Sequence, residues 1–249
     1  MMIEKKFRSV LLKVLGIEKY LELVSSTYIR LIGLGMMKKK YPELFYLNQL
    51  IQPGFVCIDI GANVGYYAVL LSKLSGKSGQ VYAVEPVPLF SRIFLKNVGK
   101  FALNNITLYQ CALGPEEKEI TLETPIMDGV FRHGLTKIVA TQSNNAVQYK
   151  AQMLVPDKLF KDLTRLDYIK CDVEGYETEL MPQMLQTIEH FKPTIQIELS
   201  STENKQMIYE LFAQLGYTAF VLNETALLPL THEAYMADNS GDYYFKVIA

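Results

Sequence analysis

FVCIDIGANVGYY, residues 55–67, decides how this chain folds. Its first half, Phe55-Val-Cys-Ile-Asp-Ile60, is a near-continuous apolar run entered from Pro53-Gly54, the pattern of a strand buried on both faces. Its second half holds Gly61 and Gly65, which allow a tight turn and close backbone approach. Asn63 between them tolerates left-handed backbone better than most residues. From Tyr66 the spacing predicts a helix that stops at Gly76. Strand, glycine turn and helix open a parallel α/β unit, with free N–H groups at the helix start.

The same rhythm continues outward. Val81–Val84 reads as a strand, Leu89–Phe101 as a helix opened by Pro86 and Pro88, and Ile106–Gln110 as a third strand. It resumes with a strand at Tyr168–Cys171, a helix from about Glu177 to His190 and a strand at Thr194–Leu199. A helix at Glu203–Leu215, a strand at Thr218–Leu222 and a last strand at Asp242–Ile248 complete it. Between these halves, residues 112–165 read as β-rich: a strand at Ile120–Leu122, then a hairpin of Lys137–Thr141 and Ala146–Leu154 about the polar turn Gln142–Asn145. Val147, Tyr149, Ala151 and Met153 share one face of it. Residues 1–50 read as helical, with Phe7, Val10, Leu11, Val14 and Leu15 at helical spacing and a second stretch from Tyr20 to Leu34. The expected organisation is an N-terminal helical cap (1–50) and an α/β domain (51–249) carrying a β-rich insertion (112–165). Such a sheet binds ligands outside the carboxyl ends of its strands, at the switch point.

Composition removes several function classes. A net charge of −1 offers nucleic acid and acidic membranes no bulk attraction. Cys57, Cys111 and Cys171 stand apart with no CxxC pair, which disfavours a zinc site and a disulfide framework. They are expected on or beside buried strands, in a reducing compartment. No apolar run reaches the length of a membrane span, and Lys13 interrupts Val10-Leu-Leu12, so a signal peptide is not expected and the chain reads as cytoplasmic. The basic residues near the N-terminus and Lys38-Lys-Lys40 read as part of a packed cap; contact with a membrane surface is the alternative that a basic amphipathic helix permits.

The residues just past each strand carry the chemistry. Against a dinucleotide-binding GxGxxG, the loop reads Gly61, Asn63 and Tyr66, and no GKS or GKT comes after it, so NAD, FAD and P-loop chemistry are disfavoured. An acid before G-x-N-x-G suits a ligand with an amine and a carboxylate: Asp59 for the amine, the loop N–H groups for the carboxylate. S-adenosylmethionine carries both; a plain tight βα loop is the bland alternative. Glu85, 20 residues past Gly65, stands where an acid accepts both ribose hydroxyls, or else caps the helix behind Pro86. Cys111 and Ala112 are small enough to neighbour a flat adenine ring. Asp172 and Glu174 come directly after the fourth strand of the rhythm; a helix start accounts for Glu177 but poorly for Asp172.

Asp59-x-Gly-Ala-Asn-x-Gly-Tyr-Tyr67, Val84-Glu-Pro86, Ala112-Leu-Gly114, Tyr168-Ile-Lys-Cys-Asp-Val-Glu-Gly-Tyr-Glu177, and Pro193 with Ile197-Glu198 together resemble the FkbM family of S-adenosylmethionine-dependent methyltransferases over roughly residues 50–200. Cys171 stands where members often carry Ile or Val before the acid. The resemblance implies a class I methyltransferase, Rossmann-like sheet of seven strands, the last antiparallel and fitted by Tyr243–Ile248. It implies methyl transfer to a hydroxyl of a sugar, polyketide or other small metabolite. The implied cofactor site is Asp59, Gly61, Ala62, Asn63, Gly65, Tyr66, Tyr67, Glu85, Pro86, Cys111, Ala112 and Asp172. Asp172 or Glu174 is the expected base or acceptor clamp, and His133 in Phe131-Arg-His-Gly-Leu135 the other candidate base. No metal is expected, although Asp172, Glu174 and Glu198 are oxygen donors that could serve a magnesium-like ion instead of a protein base. A catalytically silent module binding adenosylmethionine or a nucleoside is the second reading. Nucleic-acid methylation lacks both a basic footprint and an Asn-Pro-Pro-Tyr motif.

Overall fold

The computed structural model describes residues 2–127, 130–139 and 145–248. The chain opens with α1 (Met2–Gly33) and α2 (Pro42–Leu50). α1 is two helices joined at Gly16, whose φ of 72° and ψ of 165° only glycine adopts without strain. Its second half lies on α4 (below), where Glu18 and Glu22 form ion pairs with Arg92, Lys96 and Lys100. Exposed pairs of this kind stabilise weakly. The firmer link is Asn97, which donates at 2.8 Å to both Ser25 Oγ and the Val64 carbonyl and so ties α1 and α4 to the glycine loop.

The first α/β half is β1 (Val56–Ile60), α3 (Tyr66–Ser75), β2 (Gln80–Val84), α4 (Pro88–Lys100) and β3 (Ile106–Tyr109). A separate small sheet comes next: β4 (Ala112–Leu113), β5 (Lys118–Met127), β6 (Val130–Phe131), β7 (Lys137–Ile138) and β8 (Ala146–Leu154), with a 3-10 turn at His133–Leu135. The second half is α5 (Pro156–Leu159), β9 (Tyr168–Cys171), α6 (Glu177–Leu180), a 3-10 turn at Met181–Met184, α7 (Leu185–Phe191), β10 (Thr194–Glu198), α8 (Thr202–Gln214), β11 (Tyr217–Asn223), β12 (Ala226–Pro229), α9 (His232–Ala237) and β13 (Asp242–Val247). The large sheet has the order β12-β11-β13-β10-β9-β1-β2-β3. β3, β2, β1, β9 and β10 are parallel neighbours, and β13 runs antiparallel between β10 and β11. The chain leaves β1 towards β2 on one side and returns to β9 on the other, so the loops after β1 and β9 meet at the switch point.

Three expectations are corrected. The sheet has an eighth strand, β12, paired antiparallel with β11 through a two-residue turn at Glu224-Thr225. That turn lacks the Asn-Gly signature of tight hairpins, although Glu224 takes a left-handed φ of 52°. The helix expected from Glu177 to His190 is broken at Met181–Met184 because Pro182 cannot donate to the helical ladder. The hairpin expected between 137–141 and 146–154 is not seen among the described residues: β7 and β8 both pair with β5. β5 spans ten residues and offers two edges. Its pairing sets Ile120 opposite Ala151 and Leu122 opposite Tyr149, on the apolar face expected for β8. Of the expected turn Gln142–Asn145, residues 142–144 lie outside the described residues. No helix among the described residues is long and apolar enough to cross a membrane.

Candidate active site

A cavity of about 970 Å³ opens at the carboxyl ends of β1, β2, β3 and β9. Leu12, Leu21 and Tyr28 of α1 wall one side, and Leu122, Phe131 and Ile138 of the small sheet another. Every residue expected at the site lines it, except Gly65. Gly65 instead takes φ 95° beneath the Phe94 ring, where a Cβ would stand 3.0 Å away.

The β1 loop is built from the inside. Gly61 and Ala62 N–H both donate to the Val84 carbonyl at 3.0 Å, and Gly65 N–H donates to the Ala62 carbonyl at 2.9 Å. Asn63, at φ 50°, donates its N–H to Glu85 Oε2 at 2.8 Å. The N–H groups of Gly61, Ala62, Asn63 and Gly65 are therefore engaged within the protein, which takes these four out of the set expected to receive a ligand carboxylate. Gly61 has a further duty: a Cβ there would lie 1.8 Å from the Asp172 carbonyl oxygen. It is the point where the β1 and β9 loops touch.

Two buried carboxyls face the cavity. Asp59 is 2% exposed, and its Oδ2 has no hydrogen-bond partner among the described residues. Burial pushes its pKa up to about 7; Lys170 opposes that and Asp172 adds to it. Glu85 accepts from Val87 N–H at 2.7 Å as well as from Asn63, yet burial outweighs both bonds and raises it to about 7. Glu85 therefore anchors the loop and the helix start while each of its oxygens keeps an acceptor position open. Cys111 and Ala112 border the cavity beside them, and the Cys111 thiol is pushed up to about 11 by burial. All three cysteines are free and buried.

At the β9 end the three acids have different surroundings. Glu177 is buried, and its Oε1 accepts from Val173 and Gly175 N–H at 3.2 and 3.1 Å, so it staples the loop. Replacing Glu177 with alanine strands those donors and is expected to cost about 1–3 kcal/mol, read as a lowered melting temperature. Asp172 and Glu174 instead line the cavity. Glu174 sits exposed at the lip with a left-handed φ of 52°, an arrangement that costs an ordinary residue energy and is common at functional sites. Desolvation of its carboxyl on the cavity side, with Asp172 next, raises it to about 7.

Sequence reading missed Lys170. A lysine inside an apolar strand is itself a signal, because such residues are almost never fully buried without partners. Lys170 is 2% exposed and pairs with Asp242 Oδ1 at 3.2 Å. Burial works against its charge, but Asp242, Asp172 and Glu198 hold its pKa above the usual lysine value. Its ammonium lies 5.2 Å from the centre of the Tyr67 ring. Gln196 joins Asp242 and the Tyr67 hydroxyl at 3.0 Å each, and Tyr168 donates to Gln196. Glu43 of α2 also lines the cavity; nothing in its local sequence marked it. Among the described residues no group of three or more His, Cys, Asp or Glu side chains could hold a metal ion, so Asp172, Glu174 and Glu198 do not form the oxygen cluster raised as an alternative.

His133 is half-buried in its 3-10 turn rather than on a solvated loop. Its ring meets Phe90 edge-on at 6.0 Å, and its Nδ1 lies 3.0 Å from Asn63 Oδ1. Desolvation lowers its pKa to about 4. Arg132 beside it lines the cavity with a buried Nε that has no partner among the described residues.

S-adenosylmethionine fits this donor set: an orphaned buried carboxylate oxygen for a cation, a carboxyl with two open acceptor positions for a ribose diol, and small residues at the β3 end for a ring. The fold is that of a class I, Rossmann-like methyltransferase. Residues 59–219 match the family described as the methyltransferase FkbM domain, and the chain belongs to that family. A curated relative, the protein-L-isoaspartate O-methyltransferase of Thermosipho melanesiensis, is 40% identical over 99 residues, which are 40% of this chain and 48% of the relative. The corresponding enzyme of Methanococcoides burtonii is 31% identical over 58 residues, 23% of this chain and 29% of the relative. The chain thus spans less than half the length of the curated relatives it matches. Among solved structures, a putative rRNA-methylase from Clostridium thermocellum superposes with a TM-score of 0.50 at 11% identity, over 83% of this chain and 94% of that one, a likeness of fold alone. A methyltransferase FkbM from Methylobacillus flagellatus gives 0.49 at 14% identity, over 81% and 50%.

Proposed function

We propose that the protein is an S-adenosylmethionine-dependent methyltransferase that methylates a hydroxyl oxygen of a small molecule, a sugar or another small metabolite. The observation that carries this is the unpartnered Asp59 Oδ2, buried at a switch-point cavity that also holds Glu85, Asp172 and Glu174. Burying a polar atom without a partner is costly, so a site that does so is built for a ligand that supplies one. Oxygen as acceptor is favoured by the name that the curated relatives share, O-methyltransferase. At about 970 Å³ the cavity is at the upper end of small-molecule sites, which leaves room for an acceptor beside the cofactor. Residues 1–50, read as a cap, and residues 112–165, read as an insertion, would wall the acceptor side. Three free cysteines suit a reducing, cytoplasmic setting.

When bound, S-adenosylmethionine supplies a sulfonium methyl whose C–S bond breaks, the electron pair going to sulfur, as the acceptor oxygen forms the C–O bond. Asp59 would hold the cofactor's ammonium and Glu85 its ribose hydroxyls. Arg132, which lines the cavity, is the cation at hand for its carboxylate. Asp172 and Glu174 would orient the acceptor, and the hydroxyl proton passes to one of Asp172, Glu174 and His133. Glu174, at about 7, is matched to proton transfer near neutral pH.

Titration with S-adenosylhomocysteine in a calorimeter, with NAD as the control, tests the reading. Micromolar binding of the first alone is expected. Asp172→Asn, Glu174→Gln and His133→Asn are then assayed for transfer of labelled methyl to a panel of polyhydroxylated acceptors, and at least one is expected to lower turnover about 100-fold with binding retained. Binding without turnover on any acceptor would favour the silent module instead.

A further inference from the structure

Asn63 and His133 come from different parts of the chain, and the two hydrogen bonds between them settle each other's protons. Asn63 Nδ2 donates to the His133 backbone carbonyl at 3.1 Å, and Asn63 Oδ1 faces His133 Nδ1 at 3.0 Å. A carbonyl oxygen carries no proton, so the NH₂ end of the amide must be the end that faces it. Oδ1 therefore faces the ring, and an amide oxygen only accepts. The proton of the imidazole is thus on Nδ1, and in the neutral ring Nε2 keeps its lone pair. Burial, which lowers the ring's pKa to about 4, keeps it neutral at physiological pH. Both residues are held from behind. Thr136 Oγ1 donates to the same His133 carbonyl at 3.1 Å, and Phe90 backs the ring. Asn63's own N–H is fixed by Glu85 Oε2 at 2.8 Å.

We propose that Asn63 is a positioning residue that locks His133 in the Nδ1–H tautomer, so that His133 Nε2 takes the proton of the acceptor hydroxyl. The inference rests on the methyltransferase reading of the site and names its base. Once the C–O bond begins to form, the hydroxyl becomes a protonated ether, a far stronger acid than an imidazolium, so a weakly basic Nε2 suffices. The proton passes from oxygen to Nε2 and later to water. The arrangement also sets the base in register with the cofactor loop: Glu85, Asn63 and His133 form one chain of hydrogen bonds from the ribose acid to the base.

Nitrogen-15 NMR of the histidine rings reads the tautomer directly, in protein without ligand. The chain has three histidines, and His133→Asn identifies the signal. At pH 7 the His133 ring is expected to show a protonated Nδ1 and a bare Nε2. Asn63→Gly keeps the left-handed backbone position while deleting the amide, and is expected to turn the ring to a mixture with the Nε2–H form. In the methyl-transfer assay Asn63→Gly is expected to lower kcat at least tenfold, with the cofactor's KM changed less than threefold. Asn63→Gly combined with His133→Asn should be no slower than His133→Asn alone, the non-additivity of residues that act as a unit. An Nε2–H ring or an imidazolium in the wild-type protein at pH 7 would overturn the proposal, as would full effects in the double variant. If S-adenosylhomocysteine does not bind at all, the methyltransferase reading fails, and the tautomer measurement still decides the Asn63–His133 geometry by itself.

Discussion

Asp59→Asn is expected to weaken S-adenosylhomocysteine binding at least about 100-fold while making the ligand-free protein more stable at pH 8. Both effects come from one atom. Asp59 Oδ2 is buried and unpartnered, and a bound ammonium would complete it. Removing one member of a buried ion pair costs about 3–5 kcal/mol, a factor of hundreds or more in affinity. In the free protein the same carboxylate is a burden. Its pKa rises from the usual carboxylate range to about 7, first through desolvation. A raised folded-state value means that its stabilising contribution is complete below about pH 4 and is lost as the pH climbs through 7. A tenfold change in an acid's ionisation constant corresponds to about 1.4 kcal/mol, so a gain on the order of 1–3 kcal/mol at pH 8 is expected for the asparagine variant. Little gain is expected at pH 4. Wild-type affinity should also tighten between pH 6 and 8 as the carboxyl ionises, and the variant's should not. Thermal melts and calorimetry at those pH values check all three. Unchanged affinity in the variant would remove Asp59 from the cofactor site.

Gly61→Ala is expected to do more damage to the fold than any other single methyl added to these loops. Its Cβ would sit 1.8 Å from the backbone oxygen of Asp172 and 2.9 Å from its carbonyl carbon. Neither atom belongs to a flexible side chain, so the β1 and β9 loops must part. The left-handed φ of 79° adds about 1 kcal/mol. Together these predict more than about 4 kcal/mol of destabilisation. For a chain of this size that is a fall of roughly 8–16 °C in melting temperature. Gly175→Ala is the internal control. Its φ of 93° is as left-handed, but nothing lies within 4 Å of its Cβ, so only the backbone cost of about 1 kcal/mol is expected. Equal melting temperatures for the two variants would sink the steric argument.

Local patterns carried the sheet's parallel core into view. Phe55–Ile60, Val81–Val84 and Tyr168–Cys171 are apolar runs bounded by turn residues, and they are strands within a residue of the expected ends. Where neighbours decide, local reading failed. β12 pairs along the edge of β11, and β7 and β8 each pair with β5, contacts that lie between segments and not within them. Pro182 was a legible break that the apolar periodicity around it concealed.

By itself the sequence determined the α/β rhythm, the glycine turn after β1 and the line of acids at the strand ends. Those depend on residue type and short spacing, and the chain carries both explicitly. Only the tertiary structure decided which polar atoms are satisfied. It engaged four loop N–H groups with Val84, Glu85 and Ala62, left Asp59 Oδ2 without a partner among the described residues, folded Glu177 back as a staple and buried Lys170 against Asp242, 72 positions away. It also set His133 against Asn63, 70 positions away, and so chose the tautomer of the ring. Protonation and hydrogen bonding depend on desolvation and on distances of about 3 Å, and packing alone sets those between segments so far apart in the chain.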